Sequence, residues 1–307
     1  MSKIVVVTGS SGFIGGALSI ELKKLGFKVV GLDLVNKHHI TKRLDKFYQT
    51  DFKNLPNIEC PLVKRSEVII HCAGTSLVNP SIKFPAVYYH NNVAKVIELL
   101  YWCSLKEKHL IFSSSASVYK SKNKPLKETD SLFPLSPYAN SKLMVESITQ
   151  DFSEAYGLKA TIFRFFNACG SIANEHGEEK GSSHILAKLF ENPTSFTLNG
   201  NNFKTKDGTC VRDYIHIKDI VSAHILAIDK KCYGVYNLGS GRGISNKEII
   251  EAVGVKNYKV GERREGDVDC LVADIQLAKN KLGWTPKHDI NDIVKDLKLW
   301  YSSHQKG

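Results

Sequence analysis

The opening of the chain constrains its fold more than any other stretch. Ile4–Val7 is an apolar, mostly β-branched run. The residues Thr8-Gly9-Ser10-Ser11-Gly12-Phe13-Ile14-Gly15 lead from it into a segment where Phe13, Ile14, Ala17, Leu18 and Leu22 recur at helical spacing. A strand, a glycine-rich turn and a helix in that order suit a dinucleotide. Glycines allow a tight turn and close approach of backbone to pyrophosphate, and the helix N-terminus offers amide donors and a favourable dipole. Gly9, Gly12, Phe13, Ile14 and Gly15 are therefore candidate cofactor contacts. The second apolar run, Lys28–Leu32, ends at Asp33. An acid there can accept both adenosine ribose hydroxyls and would repel a 2′-phosphate, which predicts NAD rather than NADP.

The same alternation continues through the first half. Strands are predicted over 47–49, 68–71, 109–113 and 160–165, and helices over 85–104 and 137–156. Repeated strand–helix–strand units imply an α/β fold with a doubly wound parallel sheet covered on both faces. After about residue 168 the rhythm loosens. Residues 169–183 read as a polar loop. Strands follow near 213–217 and 235–238, and helices over 218–229, 245–253 and 290–302. The expectation is a dinucleotide-binding domain over residues 1–167 and a smaller mixed α/β lobe over 168–307, with segments around 213–239 packing back on the first domain.

Composition narrows the function classes. No stretch approaches the ~20 apolar residues of a membrane span, and the N-terminal run lacks a secretory core and cleavage site. The expectation is a soluble, cytoplasmic protein without a membrane partner. Seven cysteines are scattered without paired spacing, which fits reduced structural thiols. Eleven histidines form no HExxH and no Cys/His cluster, so no metal is expected. The formal net charge of +11 fits a lysine-rich solvated surface or attraction of polyanionic nucleotides. No basic run is interleaved with aromatics, so nucleic acid is not expected as a partner.

The catalytic signal lies at the start of the predicted helix over 137–156. Tyr138 and Lys142 stand four residues apart, on one face and one turn from each other. A phenol titrates near ~10 and is a poor base at neutral pH. A neighbouring ammonium, with the positive ring of an oxidised nicotinamide, is expected to lower that value. The phenolate could then take a hydroxyl proton while the carbon-bound hydrogen leaves as hydride. Ser115, at the end of the Ser113-Ser114-Ser115 run, can hydrogen-bond the same substrate oxygen.

With these residues in place the chain resembles the extended short-chain dehydrogenase/reductase superfamily, of the Rossmann type, and within it the UDP-glucose 4-epimerases. The resemblance spans nearly the whole chain. TGSSGFIG, HCAG, YYHNNV, FSSSASVY and SPYANSKLMVE carry it in the first part. FRFFNACG, DGTCVRDYIHIKDI, YNLGSGRGIS and GERREGDVDCLVAD carry it in the second. It implies epimerisation at C4 of a UDP-hexose through a transient 4-keto sugar, with NAD as cofactor. It also implies roles position by position. Asp51 and Phe52 match adenine contacts. Cys72, Ala73, Gly74 and Asn91 match residues lining the cofactor phosphates and ribose. Ser113, Tyr138 and Lys142 match further cofactor contacts, and Phe166 a position beside the nicotinamide. Asn167, His184 and Ile185 match diphosphate contacts, and 197–199, with Leu198 and Asn199, the segment flanking uracil. Arg212, Arg264 and Asp267 match contacts to diphosphate and uridine ribose. Leu271 stands where bulk decides whether an acetamido sugar enters, and leucine leaves that undecided. The family implies a homodimer in which the helices over 85–104 and 137–156 of two subunits form a four-helix bundle. Val93, Val96, Leu99, Leu100, Leu143, Val145 and Ile148 permit either that or plain core packing.

The chain departs from the pattern at Thr75-Ser76, where the family often has a lysine beside the nicotinamide ribose. Ala116 and Ser117 stand where a 4,6-dehydratase has an acid, which argues against elimination chemistry. Three alternatives stay open: a UDP-uronate 4-epimerase, a decarboxylase or dehydratase on the same scaffold, and a non-catalytic NAD- or RNA-binding protein.

Overall fold

The structure, a computed structural model, describes residues 2–264 and 267–304; Glu265 and Gly266, inside the GERREGDVDCLVAD run, lie outside the described residues. Its centre is a sheet whose first six strands in the chain are β1 (Ile4–Thr8), β2 (Lys28–Asp33), β3 (Lys46–Gln49), β4 (Val68–His71), β5 (His109–Ser115) and β6 (Lys159–Phe165). The spatial order is Gly234–Leu238, β6, β5, β4, β1, β2, β3. β1 pairs in parallel with β2 on one side and β4 on the other. The order reverses beside β1, so the loops after β1 and β4 diverge to leave a crevice at their carboxyl ends. Val5, Val6 and Val7 are fully buried, as expected for a central strand covered on both faces.

Two compact units emerge. The first comprises residues 1–118, 132–164 and 224–236, and the second 119–131, 165–223 and 237–307. Against the expected division at 167/168, the main break falls at 164/165, and 119–131 groups with the second unit. Of the residues expected to pack back, 224–236 group with the first unit and 213–223 with the second.

In the first unit, Val96, Leu99, Leu100 and Val145 are buried in one core with Val30, Ile69, Leu110 and Phe112. Most of the apolar residues that could serve a helix bundle are thus core residues. The predicted helix over 85–104 runs to Leu105 but contains a π-turn at His90–Ala94. The helix Pro137–Tyr156 matches its prediction because its ends are written locally. Ser136 caps it by accepting from Ala139 N–H at 3.2 Å, Pro137 occupies its first turn, and Gly157 closes it with φ 69°.

The second unit is built from shorter pieces around Leu186, Leu189, Leu198, Tyr214, Ile249, Leu297 and Trp300. The polar stretch over 169–183 is not a plain loop. Asn167–Cys169 pairs in parallel with Val211–His216, and Ser171–Ile172 pairs with His176–Gly177. Val211–His216 also pairs with Gly243–Ser245 and Cys270–Leu271. These strands hold two to six residues, too few for periodicity to reveal. Among the described residues no helix is long and apolar enough to cross a membrane.

Candidate active site

The cofactor side of the first unit is shaped by missing side chains. Gly9 adopts φ +71°, and a Cβ on Gly15 would lie 2.1 Å from the Gly9 carbonyl oxygen. Any larger residue at 15 would drive the helix off the turn. A Cβ on Gly12 would meet only Gly9 O, at 3.2 Å, so the turn is open where a pyrophosphate would approach. Phe13 and Ile14 begin the helix Phe13–Lys24 that supplies the amide donors. Asp33 accepts from Ser11 N–H and Val35 N–H, both at 2.9 Å. Each carboxylate oxygen keeps a free lone pair for a ribose hydroxyl. These features fit NAD.

The loop after β4 is tied to the same end of β1. Thr8 Oγ1 lies 2.7 Å from His71 Nδ1 and accepts from Ala73 N–H at 3.4 Å. Cys72 Sγ accepts from Ser113 Oγ at 3.3 Å. Burial pushes the Cys72 thiol up to about 11, so it stays protonated. Phe52 is buried with its ring edge against His71 (4.6 Å). Asp51 caps the turn that follows it by accepting from Lys53 N–H at 3.0 Å.

The π-turn widens the helix just where Asn91 and Asn92 stand. Asn92 is buried and accepts from Thr75 N–H at 2.8 Å. It donates to Thr75 O at 2.9 Å and to Ser141 Oγ at 3.0 Å, and Ser141 in turn donates to Tyr138 O at 2.7 Å. One side chain thereby joins the loop after β4 to the first turn of the Tyr138 helix.

The three expected catalytic residues all lie in the first unit. Ser115 ends β5 with its hydroxyl beside the Tyr138 phenol, where it favours the ionised form. Ser115 Oγ also accepts from Ser117 N–H at 3.2 Å and Ser117 Oγ at 2.9 Å, which leaves its own proton for the phenol oxygen. Ser117 thus orients Ser115. Lys142 is buried, donates to Ser113 O at 2.8 Å, and lies 4.9 Å from the centre of the Phe112 ring and 5.9 Å from that of Tyr138. Burial lowers its pKa to about 8, with Cys72 and Glu146 pulling it back up.

The expected lowering of the Tyr138 phenol combined Lys142 with the charge of an oxidised nicotinamide; the protein's own groups hold the phenol above its ordinary value. Burial raises it, the Ser115 hydrogen bond lowers it, and the neighbouring Tyr88 raises it further. Lys142 directs its ammonium to the Ser113 carbonyl rather than to the phenol, so the protein's own groups do not ionise Tyr138.

Sequence reasoning misses the support behind this trio. Glu146, one turn beyond Lys142, accepts from Arg164 Nε at 3.0 and 3.1 Å and from Arg164 Nη2 at 2.6 Å, and also from Ser114 Oγ. The four-residue step from Lys142 to Glu146 is visible in the sequence. The partner on β6 is not.

In the second unit the expected substrate contacts are spread over short elements. Phe166 is buried beside Tyr119 (6.4 Å), and Asn167 is exposed and pairs in register with Tyr214. His184 precedes the helix Ile185–Glu191 and pairs with the buried Glu178 carboxylate. Burial pulls the imidazole down, but Glu178 outweighs it, and the pKa stands above the ordinary value. Leu198 lies in the segment expected to flank uracil. It is fully buried in the core, because strand alternation over Thr197–Asn199 turns its side chain inward and its neighbours outward. Asn199 Oδ1, in the amide orientation that satisfies both groups, accepts from Arg264 Nη2 at 2.7 Å and Nε at 3.1 Å. Arg212 Nη1 donates to Val211 O at 3.0 Å and Val268 O at 2.7 Å, and its Nη2 lies 3.6 Å from Asp267 Oδ1. Leu271 is half-buried and pairs in register with Arg212. Arg212, Asp267 and Leu271 therefore form one local group, and Asn199 with Arg264 a second.

Comparison with known proteins agrees with this geometry. Residues 5–239 match the model of the NAD dependent epimerase/dehydratase family. The chain is 38% identical to a UDP-glucose 4-epimerase of Lactobacillus helveticus, covering 99% of this chain and 98% of that one. It is 35% identical to one of Lacticaseibacillus casei, with 99% and 98% covered. Among solved structures it is similar to a UDP-glucose 4-epimerase of Stenotrophomonas maltophila with bound NAD and formylated UDP-arabinopyranose (TM-score 0.91, 31% identity, 99% of each chain). It is also similar to one of Bifidobacterium longum in complex with NAD+ and UDP (TM-score 0.88, 30% identity, 99% of each chain). A glycine cradle made for a dinucleotide, a serine–tyrosine–lysine trio beside it and similarity over the full chain place this protein in the NAD dependent epimerase/dehydratase family.

Proposed function

We propose that the chain epimerises C4 of a UDP-hexose, with Tyr138 as the base. The observation that carries this is the Ser115 hydroxyl beside the Tyr138 phenol, with the ammonium of a buried Lys142 5.9 Å from the centre of the Tyr138 ring, in a unit that also holds the glycine cradle. When bound, NAD supplies the acceptor and later donor of the C4 hydrogen, together with a positive charge that favours the phenolate. Gly9, Gly12, Gly15 and Asp33 hold it. Tyr138 Oη removes the proton of the sugar 4-hydroxyl and later returns it. Ser115, held by Ser117, donates a hydrogen bond to the oxygen that carries the changing charge. Lys142 keeps the end of β5 in place through Ser113. The reaction needs a 4-keto sugar that can present either face while the nucleotide stays fixed. Arg212, Arg264, Asp267, Asn167 and His184 suit the fixed part, because guanidinium forks match diphosphate oxygens and a carboxylate matches ribose hydroxyls.

A homodimer is part of this reading. Ile97, Tyr101 and Leu105 recur every four residues on Lys95–Leu105 and are 40%, 48% and 61% exposed. Tyr101 meets Tyr156, another exposed aromatic, edge to face at 5.9 Å. This apolar stripe suits a second copy better than the buried residues of the same helices do. Ile97→Asp should shift the sedimentation coefficient to that of a monomer.

The direct test of the activity is incubation with UDP-glucose, UDP-N-acetylglucosamine and UDP-glucuronate, products being resolved by NMR. Conversion of UDP-glucose to UDP-galactose is expected. Turnover of UDP-glucuronate alone would move the substrate to a uronate, and no C4 inversion of any of the three would end the epimerase reading.

A further inference from the structure

Lys95 begins the helix that follows the π-turn, four residues after Asn91. Its ammonium lies 2.7 Å from Asp51 Oδ2 and 2.8 Å from Asn91 Oδ1, with the side chain only 16% exposed. We propose that Lys95 is a positioning residue of the cofactor cradle, fixing the amide of Asn91 and neutralising Asp51 so that both can receive NAD. The inference rests on reading Asp51 and Asn91 as cofactor contacts.

The chemistry of the three groups carries the argument. An ammonium has donors only, so its contact decides that the Asn91 oxygen faces Lys95. The amide nitrogen then faces the other way, where it donates to Thr75 Oγ1 at 3.2 Å. That is the side of the loop after β4, and a nitrogen there can serve a phosphate or ribose oxygen. A neutral partner at 95 would leave the amide free to turn and present an acceptor, which repels phosphate. Asp51 raises the second issue, since an unpaired carboxylate at the adenine end of the cradle still opposes an anionic dinucleotide through space. The ion pair removes that opposition, and Lys53 N–H occupies the other carboxylate oxygen at 3.0 Å. Burial alone would raise the Asp51 carboxyl, yet Lys95 and the Lys53 amide hold it below its ordinary value. The carboxylate is therefore charged and depends on its partner. Because this chain carries Thr75-Ser76 where the family often has a lysine, the cation of the cradle comes from a helix instead of from the loop.

The test loads the protein with radiolabelled NAD and follows release into excess unlabelled NAD, with thermal unfolding of each variant measured alongside. Lys95→Met should release label about tenfold faster, the scale of one charge-assisted hydrogen bond. Lys95→Gln, which keeps a neutral donor, should fall between it and wild type, and it decides the matter if the methionine variant does not fold. Asn91→Ala should also release faster. If the Lys95 variants lose thermal stability but release NAD at the wild-type rate while Asn91→Ala releases faster, Lys95 is merely structural and the proposal falls alone. If Asn91→Ala releases at the wild-type rate, the cofactor contact itself is wrong and the proposal falls with it.

Discussion

The two units solve the problem of holding a functional group in opposite ways. In the first, Ser115 and Tyr138 stand at the ends of long regular elements and Lys142 one turn further into the same helix. Ser115 closes a seven-residue strand and Tyr138 opens a twenty-residue helix. The buried bonds of Lys142, Asn92 and Glu146 fix these groups from behind. In the second, the expected diphosphate and ribose contacts sit on strands of three to six residues, at the start of a short helix or, for Arg264 and Asp267, outside any strand or helix, and Arg212 and Arg264 bind backbone carbonyls or a neighbouring side chain. Proton transfer tolerates little displacement of the base, so it is placed on rigid elements. A clamp on a flexible diphosphate can exchange one set of acceptors for another, so small, partly exposed elements suffice. Catalysis should therefore be sensitive to single atoms in the first unit, and binding to charge in the second.

The largest expected effect tests the first half of that contrast. Tyr138→Phe removes one oxygen, and kcat should fall by about a thousandfold while bound NAD, read by its absorbance after denaturation, is retained. Wild-type turnover by this variant would show that the base lies elsewhere. Arg212→Ala tests the second half. It should raise KM for the UDP-sugar by roughly tenfold to a hundredfold with kcat changed little, and a fall in kcat at constant KM would erase the distinction between the units. A smaller change is expected with pH. Lys142 is lowered to about 8 by burial, so its ammonium is lost as pH rises through that value. The neutral amine still donates to Ser113 O and the Tyr138 base ionises further as pH rises, so kcat should climb through about pH 8, and a decline there would show that the lysine charge is needed. The smallest effect concerns how the short elements of the second unit are held. Ser245 caps the helix Asn246–Val253 in a capping box with Glu248. Ser245→Ala should cost about 1 kcal/mol in denaturant unfolding and leave kcat unchanged.

Much of this site is legible in the amino-acid sequence, for identifiable reasons. The glycine turn at 9–15 and the Tyr138–Lys142 spacing are local codes, in which the residues that act are also neighbours in the chain. The arginines at 212 and 264 are identifiable only through resemblance, since a lone arginine in a polar stretch says nothing of its partner. The direction in which Leu198 faces is not readable, because a three-residue strand shows no alternation that fixes it. Asn92, Lys95 and Glu146 escape a reading of the chain because each is defined by partners far away: Ser141, Asp51 and Arg164.

What the sequence determined alone is the sheet-and-helix rhythm of the first half, the cofactor class and the candidate catalytic trio. Hydrogen bonds and periodicity within one element carry that information. Only the tertiary structure decided the protonation balance. Burial of the Tyr138 phenol raises its pKa, and the turning of Lys142 toward Ser113 removes the help its spacing promised. Desolvation depends on everything that surrounds a group, and no run of neighbouring residues encodes it.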